Sequence, residues 1–77
     1  MSWNYRVMTL DEGKTYGIHE VYYREDGSLR LYSAEPMDPH GDTVEELQRD
    51  LEYMQKALGK PVLSPKDFPV PGPHDNA

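Results

Sequence analysis

The stretch that decides the fold runs GDTVEELQRDLEYMQKAL over residues 41–58. Its apolar residues recur at steps of three and four, which places them on one side of a helix. They are Val44, Leu47, Leu51, Met54 and Leu58. Thr43 followed by Glu46 is typical of a capping box, and Gly59 before Pro61 indicates a left-handed cap at the other end. The sequence predicts a helix over residues 43–58, with Leu51 at the centre of the side that packs on the rest of the chain.

Three segments before this helix have the composition of β-strands. Residues 3–8 alternate between two sides, residues 15–23 are dense in β-branched and aromatic types, and residues 28–34 alternate through two leucines. The turns between them are short and contain glycine, so they predict an antiparallel meander without a crossover. Residues 61–63 form either a short fourth strand or an extended segment. The expected fold is α+β in the order β-β-β-α, with one face of the sheet covered by the helix.

The hairpin between the second and third strands is open to two registers. A two-residue turn pairs Tyr22 with Leu31. The residues facing the helix are then Tyr16, Ile18, Tyr22, Leu29 and Leu31. A three-residue turn with a glycine bulge shifts the pairing by one and brings Val21 and Tyr23 beside the leucines. We favour the first register because it collects more apolar area, although Glu20 then needs a tyrosine hydroxyl or a backbone N–H as its partner on the buried side.

Length and composition limit the organisation of the chain and its class of function. Seventy-seven residues make one domain, expected over residues 1–63. The net charge of −6 argues against generic nucleic-acid binding and against an anionic membrane surface. The chain contains no cysteine and no apolar run long enough to cross a bilayer, so we expect a cytoplasmic protein. Residues 64–77 are proline-rich and predict a mostly disordered tail, with residues 66–77 dispensable for stability.

The sequence lacks a recognisable pattern of catalytic or metal-binding residues. His40 lies between Asp38 and Asp42, but a second element with ligands at a recognisable spacing is missing. His19 and Glu20 are neighbours in a strand, so their side chains point to opposite faces and do not meet at one substrate atom. We therefore expect no metal, no cofactor and no enzymatic activity.

In the favoured register, the outer face of the sheet combines aromatic and basic side chains, which are types enriched at protein interfaces. Its candidate binding residues are Arg6, His19, Tyr23, Arg30 and Tyr32, with Met8 and Val21 between them. These residues predict a small protein-interaction module that binds a protein partner or a second copy through the open sheet face or edge. The alternative is an exposed sheet face without a binding role, and nucleic acid is a weaker candidate because the helix is acidic.

The helix opening Gly41-Asp42-Thr43-Val44-Glu45-Glu46-Leu47, placed after three strands, resembles the N-terminal domain of HicB-type antitoxins. The resemblance covers residues 3–63 and implies the same β-β-β-α fold, with a toxin-neutralising or nucleic-acid-binding role as an alternative function. HicB antitoxins usually continue into a DNA-binding segment, whereas a proline-rich stretch follows residue 63 here. The segments at residues 3–7 and 17–23 resemble a group of small uncharacterised bacterial proteins, a resemblance that implies no particular activity.

Overall fold

The computed structural model describes residues 2–69 and confirms the predicted α+β fold. The strands β1 (Ser2–Met8), β2 (Gly17–Tyr23) and β3 (Leu29–Tyr32) form an antiparallel sheet in the order β1-β2-β3. The helix α1 (Val44–Lys56) follows, and a 3₁₀ turn at Ala57–Gly59 extends it. A second 3₁₀ turn lies at Pro65–Asp67. No helix between residues 2 and 69 has both the length and the apolar character that crossing a membrane requires.

The helix begins as predicted and ends differently. The Thr43 hydroxyl accepts a hydrogen bond from the Glu46 backbone N–H at 3.1 Å, while the Glu46 carboxylate accepts from the Asp42 N–H at 2.9 Å. At the other end the left-handed cap predicted at Gly59 is wrong, because the helix tightens into a 3₁₀ turn and the Lys60 N–H donates to the Ala57 carbonyl. Tightening the last turn satisfies a helix-end carbonyl without a positive φ.

The β2–β3 hairpin contains both of the registers that the sequence left open. Gly27 has a φ of +87°, and the turn is the three-residue type, so Tyr23 pairs with Leu29. A bulge next to Tyr23 takes up one residue and restores the pairing of Tyr22 with Leu31. The prediction is therefore right for Tyr22 and Leu31 but wrong for Leu29, which lies on the opposite face. It is also wrong for Tyr16, which precedes β2 and is exposed.

The two faces of the sheet are covered by different elements. On one side, which we call the helix face, Tyr5 and Val7 pack against Met54 and Ala57. On the other side, which we call the Phe68 face, the residues after the helix fold back over the sheet. The buried residues there are Met8, Val21, Tyr32, Leu63 and Phe68. The sheet therefore lies between two small cores.

The ordered part of the chain extends past the predicted boundary at residue 63. Leu63 donates its N–H to the Val7 carbonyl and accepts from the Thr9 N–H, which makes a single parallel bridge at the edge of β1 instead of a fourth strand. Ser64 and Asp67 then cap the 3₁₀ turn, and Phe68 is buried beside Tyr32 with ring centroids 4.7 Å apart. The prediction of a disordered tail is wrong for residues 64–69, since Phe68 has apolar area to bury. The rest of that prediction, residues 70–77, lies outside the described residues.

Candidate protein-interaction surface

The sheet face predicted to bind a partner is the Phe68 face, and two of its five candidate residues lie in the interior. Tyr32 is fully buried beneath Phe68, and His19 is 2% exposed. The imidazole Nδ1 of His19 lies 2.9 Å from the Ser33 carbonyl oxygen, so Nδ1 carries the proton and donates it. The prediction of an open face is wrong here because the C-terminal segment covers the apolar residues that share the face.

The structure brings two of the other candidates, Arg6 and Tyr23, into direct contact. The Arg6 guanidinium donates to the Tyr23 hydroxyl at 3.1 Å and to the Pro61 carbonyl at 2.8 Å. The Tyr23 hydroxyl in turn donates to the Asn4 side-chain oxygen. These bonds tie the C-terminal segment to the sheet, whereas Arg30 is exposed at the β2–β3 bulge. A role of Arg6, Tyr23 and Arg30 in partner binding stays a prediction.

The helix, by contrast, leaves much of its apolar side in solvent. Met54 and Ala57 are buried, but Val44, Leu51 and Leu58 are exposed by 76%, 47% and 68%. The prediction of Leu51 as the central core residue is therefore wrong. Taking 100° per residue, the buried side is rotated by roughly 60° from the apolar stripe that the spacing predicts.

Polar and aromatic contacts explain this rotation. The Asp50 carboxylate accepts from the Tyr5 hydroxyl at 2.7 Å and from the His40 backbone N–H at 2.9 Å, which draws the Asp50 side of α1 toward the sheet. Tyr53 makes edge contacts with Trp3 and Tyr5, at centroid distances of 5.6 and 5.5 Å. Neither Asp50 nor Tyr53 belongs to the predicted stripe, and their sheet partners are more than 40 residues away in sequence.

The phenols on the helix face have shifted ionisation. Burial and the hydrogen bond to Asp50 raise the pKa of Tyr5 well above its usual value. The Tyr22 hydroxyl donates to the Glu20 carboxylate at 2.6 Å, and this bond, with partial burial, raises the pKa of Tyr22 to about 12. Of the two partners that the sequence analysis left open for Glu20, a tyrosine hydroxyl or a backbone N–H, its side chain has the tyrosine hydroxyl. Both shifts favour the neutral phenol, which donates its proton in the hydrogen bond to the carboxylate.

One strip along the helix surface carries no charge, although charged side chains are exposed beside it. We call it the uncharged strip; its residues are Val44, Leu47, Gln48, Leu51, Gln55 and Leu58. The charged residues of α1 all lie off this strip, at Glu45, Glu46, Arg49, Asp50, Glu52 and Lys56. The sequence contains a signal for it: Val44, Leu51 and Leu58 recur at seven-residue steps, which adds a second apolar row beside the one that the sheet covers.

Two surface depressions lie within residues 2–69, the part of the chain that the structure describes. The shallow depression beside Trp3 and Tyr53, about 560 Å³, includes Asp50, whose two oxygens are already occupied by hydrogen bonds. A second depression of about 670 Å³ lies between the turn after β1 and residues 62–67. Across residues 2–69, the structure does not bring three or more His, Cys, Asp or Glu side chains together in a group that could hold a metal ion.

Comparison with protein-family models, with curated proteins and with solved structures gave no match to this chain. The resemblance to HicB-type antitoxins therefore stays a prediction.

Proposed function

We propose that this chain is a small non-enzymatic protein-interaction module whose contact surface is the uncharged strip of α1. The observation that carries the proposal is the exposure of Val44, Leu51 and Leu58 in one row along the helix. Single exposed apolar side chains are ordinary on a protein surface, whereas a contiguous apolar patch marks an interaction site.

The free energy available from covering this row is large for such a small domain. Fully burying one valine or leucine contributes about 1.5–3 kcal/mol. Scaled by their exposed fractions of 76%, 47% and 68%, the three side chains offer roughly 3–6 kcal/mol. That is a substantial part of the total stability of a typical domain, about 5–15 kcal/mol. A partner that covers the row therefore gains a useful binding free energy.

The composition and spacing of the strip also support recognition of a protein. Cores of protein interfaces are depleted in charge, and the strip replaces charged residues with Gln48 and Gln55 between its apolar anchors. Apolar anchors at steps of three, four and seven along a helix are those used when an amphipathic helix binds a groove or another helix.

A matched pair of leucine substitutions tests the proposal. A tagged chain is compared with its Leu51→Glu variant and with Leu10→Glu, a control of similar exposure, 41% against 47%, that lies off the helix. We expect the original chain and Leu10→Glu to recover the same binding protein from cells, counting an untagged copy as a possible one. Leu51→Glu should lose that protein while keeping its unfolding midpoint. Recovery of the same protein by Leu51→Glu would show that the strip is not the contact surface.

A further inference from the structure

We propose that the occupant of the uncharged strip is a second copy of this chain, bound through an antiparallel contact of two α1 helices about a two-fold axis. This inference rests on the proposed function and names its partner. A two-fold contact uses the same patch on both copies, so the patch must be complementary to itself.

Net charge restricts where two copies can meet. Each chain carries a net charge of −6, so two copies repel unless the surface between them is neutral or internally balanced. The uncharged strip meets this condition over the whole length of the helix, from Val44 to Leu58. Self-association through this strip therefore brings no like charges together at its centre.

The spacing of the strip makes it complementary to itself in the antiparallel direction. Val44 and Leu58 lie seven residues before and after Leu51. A two-fold axis at Leu51 therefore places Leu51 against Leu51 of the other copy and Val44 against Leu58 of the other copy. The same axis brings Gln48 near Gln55 of the other copy, where two amides can exchange hydrogen bonds. Seven-residue spacing is the repeat by which helices pack side by side.

The charges that border the strip select the antiparallel direction. Along one border the order is Glu45, Arg49, Glu52 and Lys56, so the sign alternates. In the antiparallel contact Glu45 lies across from Lys56 of the other copy, and Arg49 lies across from Glu52. In a parallel two-fold contact this border would instead face the opposite border of the strip, so these ion pairs would not form. Complementary borders give specificity for one arrangement of a complex.

The first experiment measures the oligomeric state of the untagged chain by sedimentation equilibrium. We expect a concentration-dependent dimer for the chain and for Leu10→Glu, and a monomer for Leu51→Glu, with circular dichroism showing that all three are folded. Exchanging the charges then tests the ion pairs along the border of the strip. Glu45→Lys should weaken the dimer several-fold, and adding Lys56→Glu should restore it.

The second experiment tests the direction of the helices with single cysteines, since the chain contains none of its own. Leu51→Cys lies at the two-fold axis and should form a disulfide between copies under mild oxidation. Val44→Cys should not, because at 1.5 Å per residue the two cysteines lie roughly 20 Å apart in the antiparallel dimer. Disulfides form when the Cα atoms are within about 7 Å. Crosslinking by both variants would contradict the antiparallel contact.

The outcomes separate this inference from the proposed function. A chain that stays monomeric up to its solubility limit, or a dimer that persists in Leu51→Glu, overturns the second-copy proposal. The proposed function survives that result if Leu51→Glu still abolishes binding to another protein, and fails if no complex depends on Leu51. If Leu51→Glu does not fold, the cysteine pair decides, since both of its members keep small apolar side chains.

Discussion

The two faces of the sheet differ in how completely they are covered. The short C-terminal segment excludes solvent from its face more completely than the longer helix α1 does. On the Phe68 face a short C-terminal segment leaves Met8, Val21 and Tyr32 without exposure. On the helix face the 13-residue helix α1 leaves Tyr5 and Val7 slightly exposed, and several of its own apolar residues remain in water. An extended segment can bend to place one large ring in a gap, whereas a rigid helix touches a sheet along one line. We infer that the Phe68 face mainly supplies stability and the helix face leaves a surface for function.

The largest expected effect is the loss of the ring that closes the Phe68 face. Phe68→Ala should lower the free energy of unfolding by about 3–5 kcal/mol, because it opens a cavity beside Tyr32. Urea denaturation measures this loss. Val62→Ala is the control, since Val62 is 49% exposed in the same segment and should cost less than about 0.5 kcal/mol. If Phe68→Ala costs no more than Val62→Ala, the two faces do not differ as described.

The next largest effect is the difference in stability cost between truncating a buried and an exposed residue of the helix. Met54→Ala should cost about 2–5 kcal/mol, because Met54 is 4% exposed in the core of the helix face. Leu51→Ala should cost less than about 1 kcal/mol in the monomer, where Leu51 is half in water. Leucine, methionine and alanine are all good helix formers, so helix propensity does not confound the comparison.

The unfolding of Met54→Ala and Leu51→Ala must be measured at a protein concentration at which the chain is monomeric, because dimerisation would add to the apparent stability. Equal losses for Met54→Ala and Leu51→Ala would mean that the apolar stripe packs as its spacing predicts, and that the strip is not exposed.

The smallest expected effect is a loss of stability at alkaline pH, caused by ionisation of Tyr22 on the helix face. The folded pKa of Tyr22 is about 12 against an ordinary value of 10.0, so the unfolded chain releases this proton first. Its contribution is fully present below pH 10 and is lost as the pH rises from 10 to about 12. Unfolding measured across this range should show a decline that is reduced in Tyr22→Phe and in Glu20→Gln. An unchanged decline in both variants would show that the Glu20–Tyr22 bond does not cause it.

The sequence by itself determined the elements of this protein and their order. The alternation over residues 3–8, the glycine in the β2–β3 turn and the Thr43–Glu46 cap each specify structure through neighbours within a few residues. The need of Glu20 for a partner, a tyrosine hydroxyl or a backbone N–H, was also readable, because a carboxylate on a buried face requires a hydrogen bond. Local propensities and local hydrogen bonds are enough for these features.

The tertiary structure decided which side of the helix is buried and what covers the second face of the sheet. The rotation of α1 depends on the bond from Tyr5 to Asp50, and the closure of the Phe68 face depends on the contact of Phe68 with Tyr32. Periodicity shows that the helix has an apolar side, but it does not show that a polar contact will turn part of that side into solvent. The sequence therefore predicted an open sheet face where His19 and Tyr32 are buried, because their burial is set by pairs of residues distant in sequence whose meeting only the folded chain determines.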